Sequence, residues 1–208
     1  PADRIHFVGN TTIDTLKSHL PRALQSPVLE RFGVPRGGYA AVTLHRPSNV
    51  DGRDGLEQLV LTLSRVAGKI PVVFPIHART RARLAEFGLD PSLGDGAPIM
   101  LSDPLGYLDF LCLMAGARLV ITDSGGIQEE TTVLNVPCLT LRKNTERPVT
   151  ITHGTNRLVD PEDIDAITAA VDETLAAPMP IAPGPELWDG CAGDRIVTIL
   201  VSWVGAAI

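Results

Sequence analysis

The 208-residue sequence is short of lysine and of positive charge, and both shortages bear on what it can bind. Only three of its 18 basic residues are lysines, and its net charge at pH 7 is -6. Sequence-independent binding to nucleic acid requires a concentrated basic surface, which this composition does not favour. The arginine bias suits bidentate recognition of phosphate or carboxylate, although a GC-rich genome would produce the same bias without a functional cause. We therefore expect no nucleic-acid partner.

Cysteines are also few, and the sequence has no long hydrophobic run. Cys112, Cys138 and Cys191 are odd in number and widely spaced, and the first two lie in apolar runs where cysteine usually behaves as a small core residue. We therefore expect a reducing compartment and no metal site. The apolar tail at 196–208 is too short to span a bilayer, and no leader pattern is visible. The expected location is the cytoplasm, without a membrane partner, and Pro1 in place of methionine indicates a processed or cut start.

The remaining composition, 44% hydrophobic and 20% charged, can bury one substantial core or two small ones. Short apolar runs predict strands at Ile5–Val8, Tyr39–Leu44, Pro71–Ile76, Ile99–Leu101, Leu119–Ile121, Val136–Leu141 and Asn156–Val159. Helices are predicted after a cap at Thr11 or Thr12, over 55–67, up to Phe87, over Pro104–Ala115, after Ser124, over Pro161–Leu175 and over Asp194–Val204. This alternation predicts an α/β fold with a doubly wound, mostly parallel sheet of the Rossmann-like kind.

The strongest local signal is a polar, glycine-rich turn between a strand and a helix. Leu119–Ile121 predicts a buried strand, and Ser124 is a good N-cap for the helix that follows. Gly125 and Gly126 leave room for a ligand to approach the first backbone N–H groups, which makes an anion site. Glu130, one turn later, could hold neutral hydroxyls such as a ribose diol. The alternative is a well-capped helix that binds nothing, because such turns are common.

Other polar clusters also follow predicted strands, where a doubly wound sheet binds its ligands. His45 and Arg46 could bind a diphosphate or donate a proton, or could be a capping histidine and a surface arginine. His77 could touch a ligand or only fix its loop. Arg147 lies in a loop long enough to suggest a function and could clamp phosphate or hydroxyls, or form a surface salt bridge. Asp123 beside a serine invites a hydrolase interpretation, but no G-x-S-x-G elbow surrounds that serine.

A series of motifs in order along the chain resembles one enzyme family. The motifs are GNTTIDTL, VTLHRPSNVD, PIHARTR, PLGYLDFLCLM, TDSGGIQEETTVLNVPCLTLRKNTERP, GTNRLV and LWDG. They are similar to the non-hydrolysing UDP-N-acetylglucosamine (UDP-GlcNAc) 2-epimerases, which have the two-domain GT-B architecture. The resemblance covers the second, C-terminal domain, which implies a nucleotide-sugar domain at 1–193. The linker at 177–193 then leads to a terminal helix, 194–208, that returns to the missing N-terminal domain.

The resemblance also implies an activity and a set of site residues. Family enzymes interconvert UDP-GlcNAc and UDP-ManNAc by eliminating UDP and adding it back with inverted stereochemistry at the second sugar carbon, without a metal or nicotinamide cofactor. The residues implied to contact UDP are His45, Leu105, Phe110, Ser124, Gly125, Gly126, Glu130 and Arg147, with the diphosphate on 124–126, the ribose on Glu130 and the uracil at Leu105 and Phe110. His45 is also the implied catalytic residue. A second, activating UDP-GlcNAc would contact His45, Arg46 and His77, although Pro47 and Ser48 depart from the usual family pattern after the His-Arg pair.

Several questions remain open at the level of the sequence. The family's acid and base carboxylates belong to the absent domain, so this chain alone is expected to bind UDP weakly and to epimerise nothing. A GT-B glycosyltransferase domain and a non-catalytic nucleotide-sugar binding module are the alternatives. A hydrolysing epimerase would use similar motifs. The family further implies a homodimer for the full-length enzyme.

Overall fold

A six-stranded parallel sheet forms the centre of the computed structural model, which describes residues 4–89 and 99–205. The strands are β1 (Ala40–Thr43), β2 (Val72–Pro75), β3 (Ile99–Ser102), β4 (Leu119–Thr122), β5 (Cys138–Leu141) and β6 (Asn156–Val159). They pair in the order β3-β2-β1-β4-β5-β6, and every pairing is parallel. The prediction of a doubly wound parallel sheet is therefore confirmed.

Helices cover both faces of this sheet. Within the described residues they are α1 (Thr11–Ala23), α2 (Val28–Phe32), α3 (Pro47–Val50), α4 (Arg53–Ala67), α5 (Ala78–Glu86), α6 (Tyr107–Gly116), α7 (Gly125–Leu134), α8 (Val149–Thr152), α9 (Ile164–Ala176) and α10 (Ala192–Gly205). Helices α4, α5 and α9 enclose one apolar core, which includes Ala40 and Val42 of β1. Helices α1, α2, α6 and α7 enclose the other, which includes Ala41. The two cores follow from strand geometry, because successive side chains of a strand point to opposite faces.

The strand order creates a crevice at the carboxyl edge of the sheet. The chain builds outward from β1 through β2 to β3, then returns to the other side of β1 with β4 and continues to β6. The connections that leave β1 and β4 therefore depart to opposite sides, and in open α/β sheets this is where ligands bind. The segments that begin at His45 and at Asp123 meet there.

The beginning of the chain differs from the prediction. Residues 5–8 are described but do not join the sheet, and Ile5 and Phe7 are 80% and 64% exposed. An apolar run forms a strand only where another strand can pair with its backbone, and here the sheet lies elsewhere. Helix α1 is capped by Asn10, whose Oδ1 accepts a hydrogen bond from the Thr12 amide at 2.9 Å. The predicted cap at Thr11 or Thr12 was therefore wrong.

Two other helix starts were predicted too early. Helix α6 begins at Tyr107, after an extended Gly106, and not at Pro104. Helix α9 begins at Ile164 because the Asp163 side chain caps it by accepting from the Ala166 amide. In both cases proline comes before the helix and does not occupy its first turn.

Later elements match the predictions more closely. The loop after β5 contains the single turn α8, and α10 starts at Ala192 instead of Asp194. Cys112 and Cys138 are buried core residues, as predicted, and the three cysteines are free thiols. Over the two described ranges, every helix is too short or too polar to cross a membrane.

Candidate functional site

A buried carboxylate joins the ends of β1 and β4. The Asp123 side chain is fully buried and accepts hydrogen bonds from the backbone amides of His45 and Arg46, at 3.0 and 2.8 Å. The same carboxylate accepts from the side-chain amide of Asn49 at 3.0 Å and lies 3.1 Å from Nδ1 of His45. Residues 45–50, here called the His45 loop, are thereby held against the turn that opens α7.

The N-terminus of α7 is open in the way an anion site requires. Ser124 is the N-cap, as predicted, but its side chain makes no capping hydrogen bond with the described residues. Around a Cβ placed on Gly126, no atom of the described residues lies within 4 Å apart from Gly126, its two chain neighbours and the backbone of its own helix. At Gly125 a Cβ would lie 3.3 Å from the guanidinium carbon of Arg147. The first amides of α7, the positive end of the helix dipole and an arginine therefore meet at one point, next to the Ser124 amide, which donates to Oγ1 of Thr122 at 3.0 Å.

Arg147 is carried by a loop that a chain of neutral hydrogen bonds holds in place. Residues 142–148 form this Arg147 loop, and the Arg147 amide donates to Oγ1 of Thr145 at 3.0 Å. Thr145 in turn donates to Oε1 of Gln128 at 2.6 Å, and Nε2 of Gln128 donates to the Ser124 carbonyl at 3.2 Å. Gln128 is fully buried in α7. A single glutamine thus links the arginine to the anion turn.

The Arg147 guanidinium also contacts an acidic side chain of α7. Its Nε lies 3.2 Å from Oε1 of Glu129, and the arginine side chain is 38% exposed. Of the two alternatives raised by the sequence, the salt bridge is formed, and the guanidinium keeps further donors after this contact.

A second carboxylate, that of Glu130, lies one turn into α7. Its Oε1 accepts from the Tyr107 hydroxyl at 3.2 Å. Burial raises the pKa of Glu130, and the hydrogen bond from Tyr107 offsets part of that effect. Burial, together with the Glu130 charge, raises the pKa of Tyr107 to about 12. Through the Glu130 carboxyl group and the Tyr107 oxygen, the pair can accept hydrogen bonds from neutral hydroxyls.

Between the ends of β1 and β2 lies a cavity of about 230 Å³ with an apolar side. It brings together four of the sequence-predicted residues, His45, His77, Leu105 and Phe110. Leu105 and Phe110 are half-buried, and Leu105 is presented by the extended stretch before α6. His77 also caps α5 by accepting from the Arg79 amide, so it fixes its loop and lines the cavity at once.

Arg46 is not among the residues of that cavity. Its Nε donates to the Asp123 carbonyl at 3.0 Å, and its side chain lines a different cavity of about 350 Å³ between α4 and the Arg147 loop. Adjacent residues of an extended segment point to opposite sides, which explains the separation. The structure therefore brings His45 and His77 together and leaves Arg46 apart.

Sequence reasoning missed three residues of this region. Asp123 was considered only as a hydrolase partner, and neither Tyr107 nor Gln128 was assigned to the site. The sequence feature that could have indicated Asp123 is its position at a strand end. A buried acid there can accept hydrogen bonds from the backbone amides of a neighbouring loop. Tyr107 and Gln128 lie in helices and not at a strand end, so no comparable feature marks them. Their partners Glu130 and Thr145 lie 23 and 17 residues further along the chain.

Three groups of residues, each suited to a different part of a ligand, lie along one edge of the sheet. The start of α7 with Arg147 suits an anion, Glu130 with Tyr107 suits hydroxyl groups, and the cavity with Leu105 and Phe110 suits a flat, partly apolar group. Across residues 4–89 and 99–205, no group of three or more His, Cys, Asp or Glu side chains is placed to hold a metal ion.

Comparison with known proteins identifies one family that matches most of the chain. A family model described as UDP-N-acetylglucosamine 2-epimerase matches residues 1–201. The UDP-N-acetylglucosamine 2-epimerase of Methanococcus maripaludis is 43% identical over 169 residues, which cover 78% of this chain and 46% of that protein. The enzyme of the same name from Methanocaldococcus jannaschii is 37% identical over 207 residues, which cover 95% of this chain and 55% of that protein. The chain thus spans about half the length of these curated relatives.

Solved structures agree with the sequence matches. The Methanocaldococcus jannaschii UDP-GlcNAc 2-epimerase in complex with UDP-GlcNAc and UDP has a TM-score of 0.82 and 37% identity, over 97% of this chain and 56% of that one. The Neisseria meningitidis UDP-GlcNAc 2-epimerase bound to UDP-GlcNAc has a TM-score of 0.77 and 27% identity, over 97% of this chain and 56% of that one.

Proposed function

This chain belongs to the UDP-N-acetylglucosamine 2-epimerase family, and we propose that it supplies the UDP-binding half of an enzyme that interconverts UDP-GlcNAc and UDP-ManNAc. The family model covers 201 of the 208 residues, which confirms the resemblance seen in the motifs. In the reaction that the family implies, UDP leaves the sugar and is added back after the configuration of the second sugar carbon has been inverted. A domain that holds UDP throughout both steps would be needed.

The observation that carries this proposal is the convergence of three recognition chemistries at the switch point of the sheet. The diphosphate would lie on the open N-terminus of α7, at Ser124, Gly125 and Gly126, with Arg147 beside it. Glu130 would hold the ribose hydroxyls. A nucleoside diphosphate carries the same three groups, an anion, a diol and a flat base, so the match involves the whole ligand.

The uracil and the sugar are assigned to the two ends of the cavity at β1 and β2. Leu105, through its backbone, and Phe110 would receive the base, while His45 would face the sugar and the phosphate nearest to it. We keep His45 as the proposed catalytic residue of this half. For a second, activating nucleotide sugar we retain His45 and His77, which share the cavity, and leave out Arg46, which lines the other one.

The proposed domain arrangement rests on the exposed face of α10. The nucleotide-sugar domain would comprise residues 1–193, and the helix after it would pack against an N-terminal domain, as would Ile5 and Phe7. Apolar side chains of α10 are exposed, Trp203 by 66%, and a cavity of about 580 Å³ separates this helix from Arg4 and His6. The return of this helix to a missing domain predicts that Ile208 is exposed as well, but Ile208 lies outside the described residues. Contiguous apolar surface of this kind marks an interaction site.

We further propose that the isolated chain binds UDP without catalysing epimerisation. All the groups assigned above lie at the carboxyl edge of one sheet, which is one wall of a cleft. Catalysis requires the sugar to be held between groups on both sides, so that its transition state is stabilised. The homodimer implied by the family remains a prediction for the full-length enzyme.

Calorimetric titration of the 208-residue chain with UDP, UMP and UDP-GlcNAc tests the proposal. We expect UDP to bind more tightly than UMP, because the second phosphate would meet the open helix end and Arg147. Glu130→Ala should abolish or strongly weaken UDP binding by removing the acceptor for the ribose hydroxyls. Glu57→Ala is the matched control, since Glu57 is an exposed glutamate of α4 that pairs with Arg53.

Equal loss of binding in both glutamate variants would contradict the assignment of the ribose to Glu130. An absence of heat at millimolar UDP would overturn the proposal that this chain alone forms the UDP site. Circular dichroism of each variant shows whether a lost signal reflects the site or the fold.

A further inference from the structure

The contact between Asp123 and the His45 ring defines which ring nitrogen carries a proton. The carboxylate accepts from two backbone amides and from the Asn49 side chain, and Oδ1 lies 3.1 Å from Nδ1 of His45. A carboxylate in this setting only accepts hydrogen bonds, so the nitrogen that faces it must be a donor. The close approach of the carboxylate therefore assigns the proton to Nδ1.

The backbone contacts make this orientation difficult to change. The same carboxylate fixes the amides of His45 and Arg46, so it sets the position of the His45 backbone as well as that of the ring. The carboxylate is fully buried, whereas the His45 side chain is 52% exposed and lines the cavity with Leu105 and Phe110. With Nδ1 turned to the protein interior, Nε2 lies on the far side of the ring.

We propose that Asp123 is a positioning residue that holds His45 as its Nδ1–H tautomer and thereby presents Nε2 to the ligand. This inference rests on the proposed function only for the identity of that ligand, a nucleotide sugar. In the neutral ring Nε2 accepts a hydrogen bond from a hydroxyl, and in the charged ring it donates one to a phosphate oxygen. In both states the carboxylate keeps the Nδ1–H bond.

Nitrogen NMR of the histidine rings in the unliganded 208-residue chain tests this directly. The spectra are recorded at about pH 8.5 and above, until the ring-nitrogen shifts no longer change, so that the neutral rings are observed. The chain has five histidines, and the spectrum of His45→Gln identifies the signal of His45. We expect that signal to show the Nδ1–H tautomer, whereas a predominant Nε2–H tautomer would overturn the proposal whether or not UDP binds.

Two variants separate the carboxylate contact from a general role in loop structure. Asp123→Asn keeps the shape but offers one acceptor oxygen in place of two, and we expect it to shift the His45 ring towards the Nε2–H tautomer. Asn49→Ala removes another partner of the same carboxylate and should leave the tautomer unchanged. Retention of Nδ1–H in Asp123→Asn, or an equal shift in both variants, would show that Asp123 does not set the tautomer.

A titration of the wild-type chain with UDP provides a measurement that needs no variant at Asp123. We expect UDP to move the Nε2 resonance of His45 and to leave Nδ1 nearly unchanged, because only Nε2 faces the ligand. Movement of Nδ1 alone would overturn the proposal. Failure of UDP to bind would count against the proposed function, while the tautomer of the unliganded chain would still decide the role of Asp123.

Discussion

The two loops that bring His45 and Arg147 to the carboxyl edge of the sheet are fastened to α7 and its entry turn in different ways. The His45 loop is held by one buried carboxylate, since Asp123 accepts from two backbone amides and from the Asn49 side chain and lies 3.1 Å from Nδ1 of His45. The Arg147 loop is held through the neutral groups of Thr145 and Gln128 and by the ion pair of Arg147 with Glu129. One loop depends on a single acceptor, and the other on a chain of several.

The Arg147 loop has further support at its outer end. Arg142 donates to both carboxylate oxygens of Glu146, at 2.9 and 2.7 Å, and this hydrogen bonding lowers the pKa of Glu146 to about 2. Asn156 in β6 also donates to Oε1 of Gln128 at 3.2 Å. Loss of any one of these contacts leaves the others in place.

This difference matches the roles proposed for the His45 and Arg147 side chains. A histidine that must present one particular nitrogen requires a fixed backbone and a fixed ring, which a buried carboxylate supplies. An arginine that pairs with phosphate tolerates some movement, because its guanidinium has five donors. We therefore expect substitutions at the single acceptor to be far more damaging than those along the neutral chain.

Asp123→Ala should have the largest effect on stability. It leaves the partly buried amides of His45 and Arg46 without their acceptor, and each such group costs about 1 to 3 kcal/mol. We expect the free energy of unfolding to fall by about 3 to 5 kcal/mol. Urea denaturation followed by circular dichroism measures the change.

Asp165→Ala is the control for this substitution. Asp165 is an exposed acid of α9, with 87% of its side chain accessible, and it pairs with Arg65. Exposed pairs of this kind contribute less than about 1 kcal/mol. Similar losses in the two variants would contradict the special role assigned to the buried carboxylate.

Gln128→Ala should have a smaller effect on stability but a clear one on ligand binding. The substitution removes the acceptor of Thr145, while Asn156 keeps its bonds to Thr140 and Thr150. We expect a loss of about 1 to 2 kcal/mol in the free energy of unfolding. UDP binding should weaken as well, because the Arg147 backbone loses its support, and calorimetry measures this loss.

Gln25→Ala, at an exposed position after α1, is the matched control and should change neither quantity. If Gln128→Ala destabilised the chain as much as Asp123→Ala, the proposed difference between the two loops would not hold.

The sequence predicted the sheet and the anion turn because both depend on local patterns. Apolar runs of four to six residues at Tyr39–Leu44 and Val136–Leu141 identify buried parallel strands, and the serine and glycines after β4 identify an open helix start. The family motifs added the residues of the proposed uracil cavity. These inferences required no knowledge of how distant segments pack.

The sequence could not predict the contacts between residues that are far apart along the chain. The run Ile5–Val8 has the composition of a strand, but whether it pairs depends on the position of the sheet edge. Asp123 meets its donors 74 to 78 residues away in sequence, and nothing near it indicates which loop it will hold. The hydrogen bond from Tyr107 to Glu130 likewise depends on how α6 packs against α7.

Glu130→Gln should have the smallest effect on stability, and its sign should depend on pH. Burial raises the pKa of Glu130 above its ordinary value of 4.5, so the folded state disfavours the charged form. Wild-type stability should therefore fall as the pH rises from 4.5 through the raised pKa, because the folded protein binds the proton more tightly than the unfolded chain. The glutamine variant lacks this loss and should gain stability relative to wild type over that range.

Thermal unfolding of both proteins at about pH 4 and about pH 8 measures this change, with Glu57→Gln as the exposed control. We expect the melting temperature of Glu130→Gln, relative to that of wild type, to be higher at the higher pH than at the lower pH, while Glu57→Gln shows no such trend.

UDP affinity should fall in Glu130→Gln, because an amide accepts hydroxyl hydrogen bonds less strongly than a carboxylate. A variant that gained stability and kept full affinity would show that the Glu130 charge serves no purpose in ligand binding. Glu130 would then differ from Asp123 in having neither enough donors to stabilise its charge nor a ligand to require it.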